Sequence, residues 1–285
     1  MELCNVHQMK ALLEANGFHF SKAKGQNFLT AAWVPQRIAE EAGVDPSAGV
    51  LEVGPGIGPL TEQLCLRAGK VLAVELDRRL EPILAQTVGH FDNLTLRFDD
   101  VMQLDLAAVV RESFSGLRPM ACANLPYYIT SPILTRLLEA RCFESVTVMI
   151  QKEVAQRICS VPGSGDGSAF SVFCHWYAEP RMLFDVPPSC FLPQPKVTST
   201  VITLKTRSAP PCQVQDEATF FRVVRAAFGQ RRKTLANALS AGFPQLGKAG
   251  VQGVLEACGL PATVRGEALN IDQFAAIANE MGKNK

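Results

Sequence analysis

Apolar and polar positions fall into two kinds of short block along the first two-thirds of the chain. Val50-Leu51-Glu52-Val53, Val71 to Glu75, Leu94 to Phe98, a run ending at Ala121-Cys122-Ala123, and Val146 to Ile150 are short and rich in aliphatic residues. Such runs, with few polar interruptions, read as strands covered on both faces. Between them the apolar spacing is helical. It predicts helices over about 59–68, stopped by Gly69, and near 77–88, with a further one opened by Ser131-Pro132. Strand and helix in alternation imply an α/β domain, a mostly parallel sheet with helices on both faces.

The rhythm changes after residue 160. Ser160 to Ser168 is a Gly/Ser-rich loop, and Ser171–Tyr177 and Thr198–Lys205 read as late strands. Between those two lies a proline-dense stretch, Val186-Pro187-Pro188 to Pro193-Gln194-Pro195-Lys196, which suits neither a helix interior nor a central strand. Thr206 to Gln215 has the composition of a linker, and from about 216 the pattern is helical only. The expected organisation is an α/β domain over 1–207 and a small all-α domain over 208–285.

Composition narrows the class without naming it. The 285 residues are 47% hydrophobic and 19% charged, enough apolar material for a substantial core. A formal net charge of +1 excludes wholesale electrostatic binding of nucleic acid, so any such contact must be local. Nine cysteines and four histidines are scattered, with no CxxC, which removes the zinc spacings and points to reduced thiols. No run approaches the ~20 apolar residues of a membrane helix, and the N-terminus lacks a secretory pattern. A cytoplasmic protein is expected, acting as a monomer with no metal and no membrane.

Two places could carry chemistry. Leu51-Glu52-Val53-Gly54-Pro55-Gly56-Ile57-Gly58 puts a glycine turn between a strand and a helix, where backbone can approach a ligand closely. Glu75 ends the next strand, placed to accept from ribose hydroxyls, and Asp99-Asp100 follows the third. A tight turn and a surface glutamate would look the same one at a time; together they favour a nucleoside. The GxGxG spacing suits S-adenosylmethionine better than a dinucleotide. The second place is Asn124-Leu125-Pro126-Tyr127, directly after the fourth strand. An ordinary turn is possible there. Its chemistry nevertheless matches a delocalised exocyclic amine, whose two hydrogens the Asn124 oxygen and the Leu125 carbonyl could accept while Tyr127 stacks on the base.

In this order, these motifs make the chain resemble the ribosomal RNA adenine N6,N6-dimethyltransferase family. The likeness begins at Gly25-Gln26-Asn27-Phe28-Leu29 and runs through LEVGPGIGPLTE, VELD, DDVM and NLPYYITSPIL. It continues through QKEVAQRI, VPPSCFLPQPKVTSTV and AFGQRRKTLANAL, and so covers nearly the whole chain. The resemblance implies a Rossmann-like class I methyltransferase fold and S-adenosylmethionine as cofactor. It further implies that Asn27, Leu29, Gly54, Gly56, Glu75, Asp100 and Asn124 contact that cofactor. Asn124, Leu125, Pro126 and Tyr127 would hold the target amine, with Tyr127 and Phe191 on the two faces of the base. The implied substrate is two adjacent adenosines near the 3′ end of small-subunit rRNA, within an immature 30S particle. The loop from Pro162 to Phe170 is more glycine-rich than the family's usual version.

Charge adds a surface. From Ala218 to Leu255 there are basic residues (Arg222, Arg225, Arg231, Arg232, Lys233, Lys248) and no acidic one. A solvated helical face is the usual meaning of such a run; in a chain this close to neutral it also reads as a phosphate-facing surface. Lys22 and Lys24 are expected to add phosphate contacts. Three rival readings remain at this point: an erythromycin-resistance-type methyltransferase of large-subunit rRNA, a DNA adenine methyltransferase, and a ribosome-assembly factor in which catalysis is secondary.

Overall fold

The computed structural model describes residues 1–18, 27–230 and 232–283. Lys22, Lys24 and Arg231, three of the basic residues assigned to RNA, lie outside that set, as do Gly25 and Gln26. The chain divides into two units, Met1–Ala155 with Arg181–Thr206, and Gln156–Pro180 with Arg207–Lys285. The last crossing between the units lies between Thr206 and Arg207, within the stretch read as a linker. The excursion of Gln156–Pro180 into the second unit was not anticipated.

The first unit begins with α1 (Val6–Ala15), whose first amides are capped by the Asn5 side chain, accepting from His7 and Gln8. Then come β1 (Phe28–Leu29), α2 (Trp33–Glu41), β2 (Ala48–Val53), α3 (Pro59–Cys65), β3 (Lys70–Glu75), α4 (Glu81–Thr87) and β4 (Leu94–Phe98). They are followed by α5 (Leu106–Ser113), β5 (Arg118–Asn124), α6 (Thr130–Glu139) and β6 (Ser145–Gln151). After α7 (Lys152–Cys159) and α8 (Ala169–Tyr177) the chain forms β7 (Ala178–Val186), β8 (Phe191–Leu192) and β9 (Ser199–Thr206).

Seven strands form one sheet in the order β4-β3-β2-β5-β6-β9-β7, and β1 pairs with β8 in a small second sheet. The strands from β4 to β6 run parallel, while β9 returns antiparallel to β6. All six residues of β2 are buried, Glu52 among otherwise apolar positions. One hydrophobic cluster joins Val50, Met120, Met149 and Val201 of the sheet to Val34 and Ile38 of α2 and Leu60 and Leu64 of α3. A second gathers Met9 and Leu12 of α1 with Phe28, Ile57, Ile83 and Leu84. At roughly 1.5–3 kcal/mol per buried side chain, these clusters outweigh the weak propensities of such short helices. Inside the sheet, the buried Thr147 hydroxyl donates to Thr203 across the β6–β9 pair at 3.1 Å, so neither polar atom is stranded.

The second unit holds α8 together with α9 (Glu217–Gly229), α10 (Leu235–Gly242), α11 (Gly247–Ala257) and α12 (Ile271–Gly282). Here Ser171–Tyr177, read above as a strand, is helical. Its aromatic and β-branched composition favours a strand, but a capping box between Ser168 and Ser171 starts a helix, and packing completes it. Trp176 stacks on Phe220 with ring centroids 4.2 Å apart, and Phe173 and Tyr177 lie against Phe221. Two smaller expectations also shift. The helix expected over 59–68, α3, ends at Cys65, well before Gly69, and α6 begins at Thr130, ahead of Ser131-Pro132. Gly69 serves close approach instead: a Cβ there would sit 2.4 Å from the Pro46 carbonyl oxygen. No helix among the described residues is long and apolar enough to cross a membrane.

Two glycine substitutions should therefore act with opposite sign. Gly69→Ala forces backbone apart and is expected to destabilise the protein by about 1–3 kcal/mol. Gly253→Ala, on an exposed face of α11 with nothing within 4 Å of the new methyl, should stabilise it by ~0.5–1 kcal/mol. Urea unfolding midpoints of the two variants check both signs.

Candidate active site

The order of the sheet strands reverses between β2 and β5, and in a parallel sheet the crevice opens at the carboxyl ends of such a pair. Val53 of β2 is the register partner of Ala123 of β5, so the residues that follow each strand emerge side by side. On one side is the glycine turn. Gly54, Gly56 and Gly58 have φ of 71°, 62° and 97°, and Gly58 opens α3 with Pro59 as its first residue. At Gly58 a side chain would be strained by that φ and would also meet Val88 at 2.8 Å. The Gly54 N–H donates to the Val74 carbonyl at 2.9 Å, tying the turn to β3.

The end of β3 supplies Glu75. Its carboxylate accepts from the Asp77 N–H at 2.8 Å and from the Gly56 N–H at 3.3 Å, so the acid is clamped against the glycine turn. Beyond β4, Asp100 accepts from the Met102 N–H at 2.9 Å, and Asp99 pairs with Arg97 at 2.8 Å. Two carboxyls are sequestered here. Burial pushes Glu75 up despite the backbone amides that oppose it. Glu52, on β2 beneath the turn, is 1% exposed, and burial, reinforced by the nearby Glu75 charge, raises it to about 8. Its Oε2 has no hydrogen-bond partner among the described residues.

On the other side of the crevice stands Asn124-Leu125-Pro126-Tyr127. The Leu125 N–H donates to the Met149 carbonyl at 3.2 Å, and Pro126 has φ −60°. The Pro126 carbonyl accepts from both the Ile129 N–H and the Thr130 hydroxyl, each at 3.2 Å. The Tyr127 hydroxyl is hydrogen-bonded to Ser199 of β9 at 2.7 Å, which fixes the ring; burial raises its pKa. The Asn124 side chain makes no hydrogen bond with a described residue and is half-buried at the crevice wall.

One pocket is lined by Asn27, Leu29, Gly54, Gly56, Glu75 and Asp100 together with Asn124, Leu125, Pro126, Tyr127 and Phe191. Every cofactor-side and base-side residue singled out in the sequence thus faces the same space. Phe191 reaches it because β8 pairs with β1, Leu29 opposite Phe191. Sequence reasoning missed further lining residues: Phe28, Leu76, Val101, Met102, Tyr128 and Ile129. Leu76 carried a usable signal, an apolar residue immediately after a strand-ending acid, and it is 64% exposed.

The profile of the ribosomal RNA adenine dimethylase family matches residues 17–283. The chain belongs to that family. It is 45% identical to a ribosomal RNA small subunit methyltransferase A from Geobacillus kaustophilus, over 98% of this chain and 97% of that one. It is 44% identical to the protein of the same name from Alkaliphilus oremlandii, over 96% of each. Among solved structures, a dimethyladenosine transferase from Plasmodium falciparum shares the fold with a TM-score of 0.75 at 24% identity, covering 90% of this chain and 97% of that one. The 23S rRNA methyltransferase ErmE gives a TM-score of 0.67 at 25% identity, covering 90% and 100%.

Adenine dimethylases of this kind use S-adenosylmethionine, and the pocket fits that group. A Cβ at Gly54 would meet no atom within 4 Å, so the turn leaves open space where a ligand can lie on the backbone. Glu75 offers a carboxylate at the end of β3, and Leu76, Val101 and Met102 offer apolar surface beside Asp100. Glu52, buried beneath the turn, also lines the pocket. The cysteines do not compete for a role: Cys122, next to Asn124 on β5, is fully buried and its thiol is pushed up by desolvation. No cluster of three or more metal-ligating side chains occurs among the described residues.

In the helical unit, Arg225, Arg232 and Lys233 are exposed. Arg222 is engaged locally, donating to the Gly242 carbonyl at 2.8 Å with its guanidinium 4.3 Å from the centre of the Phe243 ring. Arg232 and Lys233 lie in the turn ahead of α10, which starts at Leu235.

The buried Glu52 predicts a pH dependence of stability. Between its ordinary value of 4.5 and its value of about 8, the unfolded chain has released a proton that the folded one keeps. The native state binds more protons there, so stability falls as pH rises through that window and levels off above it. Glu52→Gln removes the component. Urea unfolding at a series of pH values should show the wild type losing stability relative to the variant; parallel curves would contradict the assignment.

Proposed function

We propose that this chain transfers methyl groups from S-adenosylmethionine to N6 of two adjacent adenosines near the 3′ end of small-subunit rRNA, two per base. The single observation that carries the reading is the convergence of the glycine turn and the Asn124–Tyr127 turn on one crevice. Relatives at 44–45% identity over nearly the whole chain, named small subunit methyltransferases, support this reading over the large-subunit one. The substrate is an immature 30S particle in the cytoplasm, where subunits are assembled.

Bound S-adenosylmethionine supplies a methyl group on a positively charged sulfur. Glu75 would hold the ribose hydroxyls, Asp100 the adenine amino group, and the Gly54–Gly56 backbone the remainder, with Asn27 and Leu29 lining the same pocket. The lone pair of an adenine amine is delocalised into the ring, so the residues must make the nitrogen a better nucleophile. Asn124 Oδ1 and the Leu125 carbonyl accept its two hydrogens and draw the nitrogen towards tetrahedral geometry. Tyr127, its ring fixed through Ser199, stacks on one face of the base and Phe191 on the other. Holding both reactants in this way is worth roughly 7–11 kcal/mol, against a few kcal/mol to unstack the base. Arg225, Arg232 and Lys233, with Arg222, Lys22, Lys24 and Arg231, supply the phosphate contacts.

Asn124→Ala should lower methyl transfer about 10²- to 10³-fold, the scale of losing one positioned hydrogen-bonding group, with the fold intact. Labelled cofactor and unmethylated small or large subunits, followed by mapping of the labelled nucleotides, test both the role and the substrate. Full turnover by the variant, or label confined to the large subunit, would refute the proposal. Glu75→Ala should weaken cofactor binding by about 10- to 100-fold in calorimetry. Neutralising Arg225, Arg232 and Lys233 together should flatten the slope of log affinity for RNA against log salt by about 2. An unaltered slope would return those side chains to the status of solvated surface.

A further inference from the structure

The turn that holds Asn124 carries two consecutive tyrosines with opposite fates. Tyr127 is half-buried and tied through its hydroxyl to Ser199 at 2.7 Å. Tyr177, the third tyrosine of the chain, is also tied, donating to Glu217 at 2.8 Å. Tyr128 is 63% exposed, and among the described residues its hydroxyl has no hydrogen-bond partner and its ring stacks on no other ring. It nevertheless lines the same pocket as Asn124 and Tyr127, at the wet end. An aromatic ring left open to water at the mouth of a crevice, with no structural task, is an unfilled stacking surface.

Its backbone is anchored on both sides. Leu125 is 1% exposed, the Pro126 carbonyl is bonded twice to the next turn, and α6 starts immediately afterwards at Thr130. We propose that Tyr128 is the stacking platform for the nucleotide adjoining the target adenosine, so that the site recognises a single-stranded purine–purine step. This rests on the function proposed above and sharpens its substrate class. Flipping the target base out of its stack bares one face of its neighbour. A tyrosine one residue further out than the one that grips the target can cover that face. When the two targets are adjacent adenosines, that neighbour is itself a purine, with a large surface to cover.

The test uses the full chain with two probes. The first is the unmethylated small subunit, on which kcat and KM are measured for the wild type, Tyr128→Ala, Tyr128→Phe and Tyr128→Trp. Tyr128→Ala should raise KM on the order of tenfold, the equivalent of about 1.4 kcal/mol and within the range of one base–aromatic stack, with kcat changing far less. The Phe and Trp variants should stay near wild type, and cofactor affinity should be unchanged in all. The second probe is a pair of synthetic RNAs bearing 2-aminopurine on the 5′ or the 3′ side of the target. The wild type and the Phe variant should quench one of the two, and the Ala variant neither. The proposal is overturned by a KM for Tyr128→Ala equal to wild type, or by a raised KM with no quenching in either RNA, as expected if the ring meets a ribosomal protein instead. A loss in the Phe variant as large as in the Ala variant overturns it too. Wild-type chain that methylates no small-subunit adenosine removes this proposal and the parent reading together; normal methylation by Tyr128→Ala with unchanged KM removes this one alone.

Discussion

The side-by-side pairing of β2 and β5 is the constraint from which the reactive geometry follows. The two strands are far apart in sequence, yet Val53 and Ala123 are register partners at their carboxyl ends. From β2 the chain builds outward through β3 and β4; it then returns to the other flank of β2 to lay down β5 and β6. The segments leaving β2 and β5 therefore diverge, and nothing in the sheet fills the gap between them. A glycine turn placed there has room above its backbone, and a polar turn beside it faces the same room. Move either strand one position in the sheet and both turns keep their local structure but lose each other.

That crevice makes electrostatic demands which the apolar sheet does not. Glu52 and Glu75 sit on adjacent strands, both buried and both held above the ordinary carboxylate range by desolvation. A sheet interior gains nothing from two acids so close together; each would be replaced by an aliphatic residue if packing alone decided. Glu75 recovers part of the loss through the Asp77 and Gly56 amides. Glu52 recovers less, since one of its oxygens has no partner among the described residues. A ligand that binds only the folded chain at this crevice would couple its occupancy to stability.

How much of this was legible depended on whether a residue's task was local. The glycine turn, Glu75 and the Asn124–Tyr127 motif could be read because each sits at a strand end, where type and position together carry meaning. The strands β2, β3, β5 and β6 were legible for the same reason, as runs too apolar for anything but a covered position. At the sheet edge, β4 instead alternates half-buried and exposed and is not covered on both faces. Ser171–Tyr177 misled because its strand-like composition serves aromatic packing of α8 on α9, contacts that lie dozens of residues away. Gly69 looked like a helix stop, whereas its reason is the Pro46 carbonyl at 2.4 Å from where a Cβ would lie. Tyr128 was invisible beside Tyr127: only the structure separates a ring tied to Ser199 from one left in water.

The Asn124 turn also bears on why two methyl groups can be added to one nitrogen. Its Pro126 carbonyl is saturated by Ile129 and Thr130, which is consistent with the proposal that Asn124 and Leu125 are the acceptors for an amine. An unmethylated amine presents two hydrogens to those two acceptors. After the first transfer only one hydrogen remains, and the nitrogen must turn so that the new methyl group points away from them. A polar wall would resist that turn by leaving its own groups unpaired against the methyl. Here the crevice is also lined by Leu60, Ile129 and Ile133, side chains that accept a methyl group without forfeiting a hydrogen bond. On the proposed roles of Asn124 and Leu125, two acceptors beside apolar lining would tolerate the monomethylated intermediate, where a fully polar pocket would expel it after one transfer.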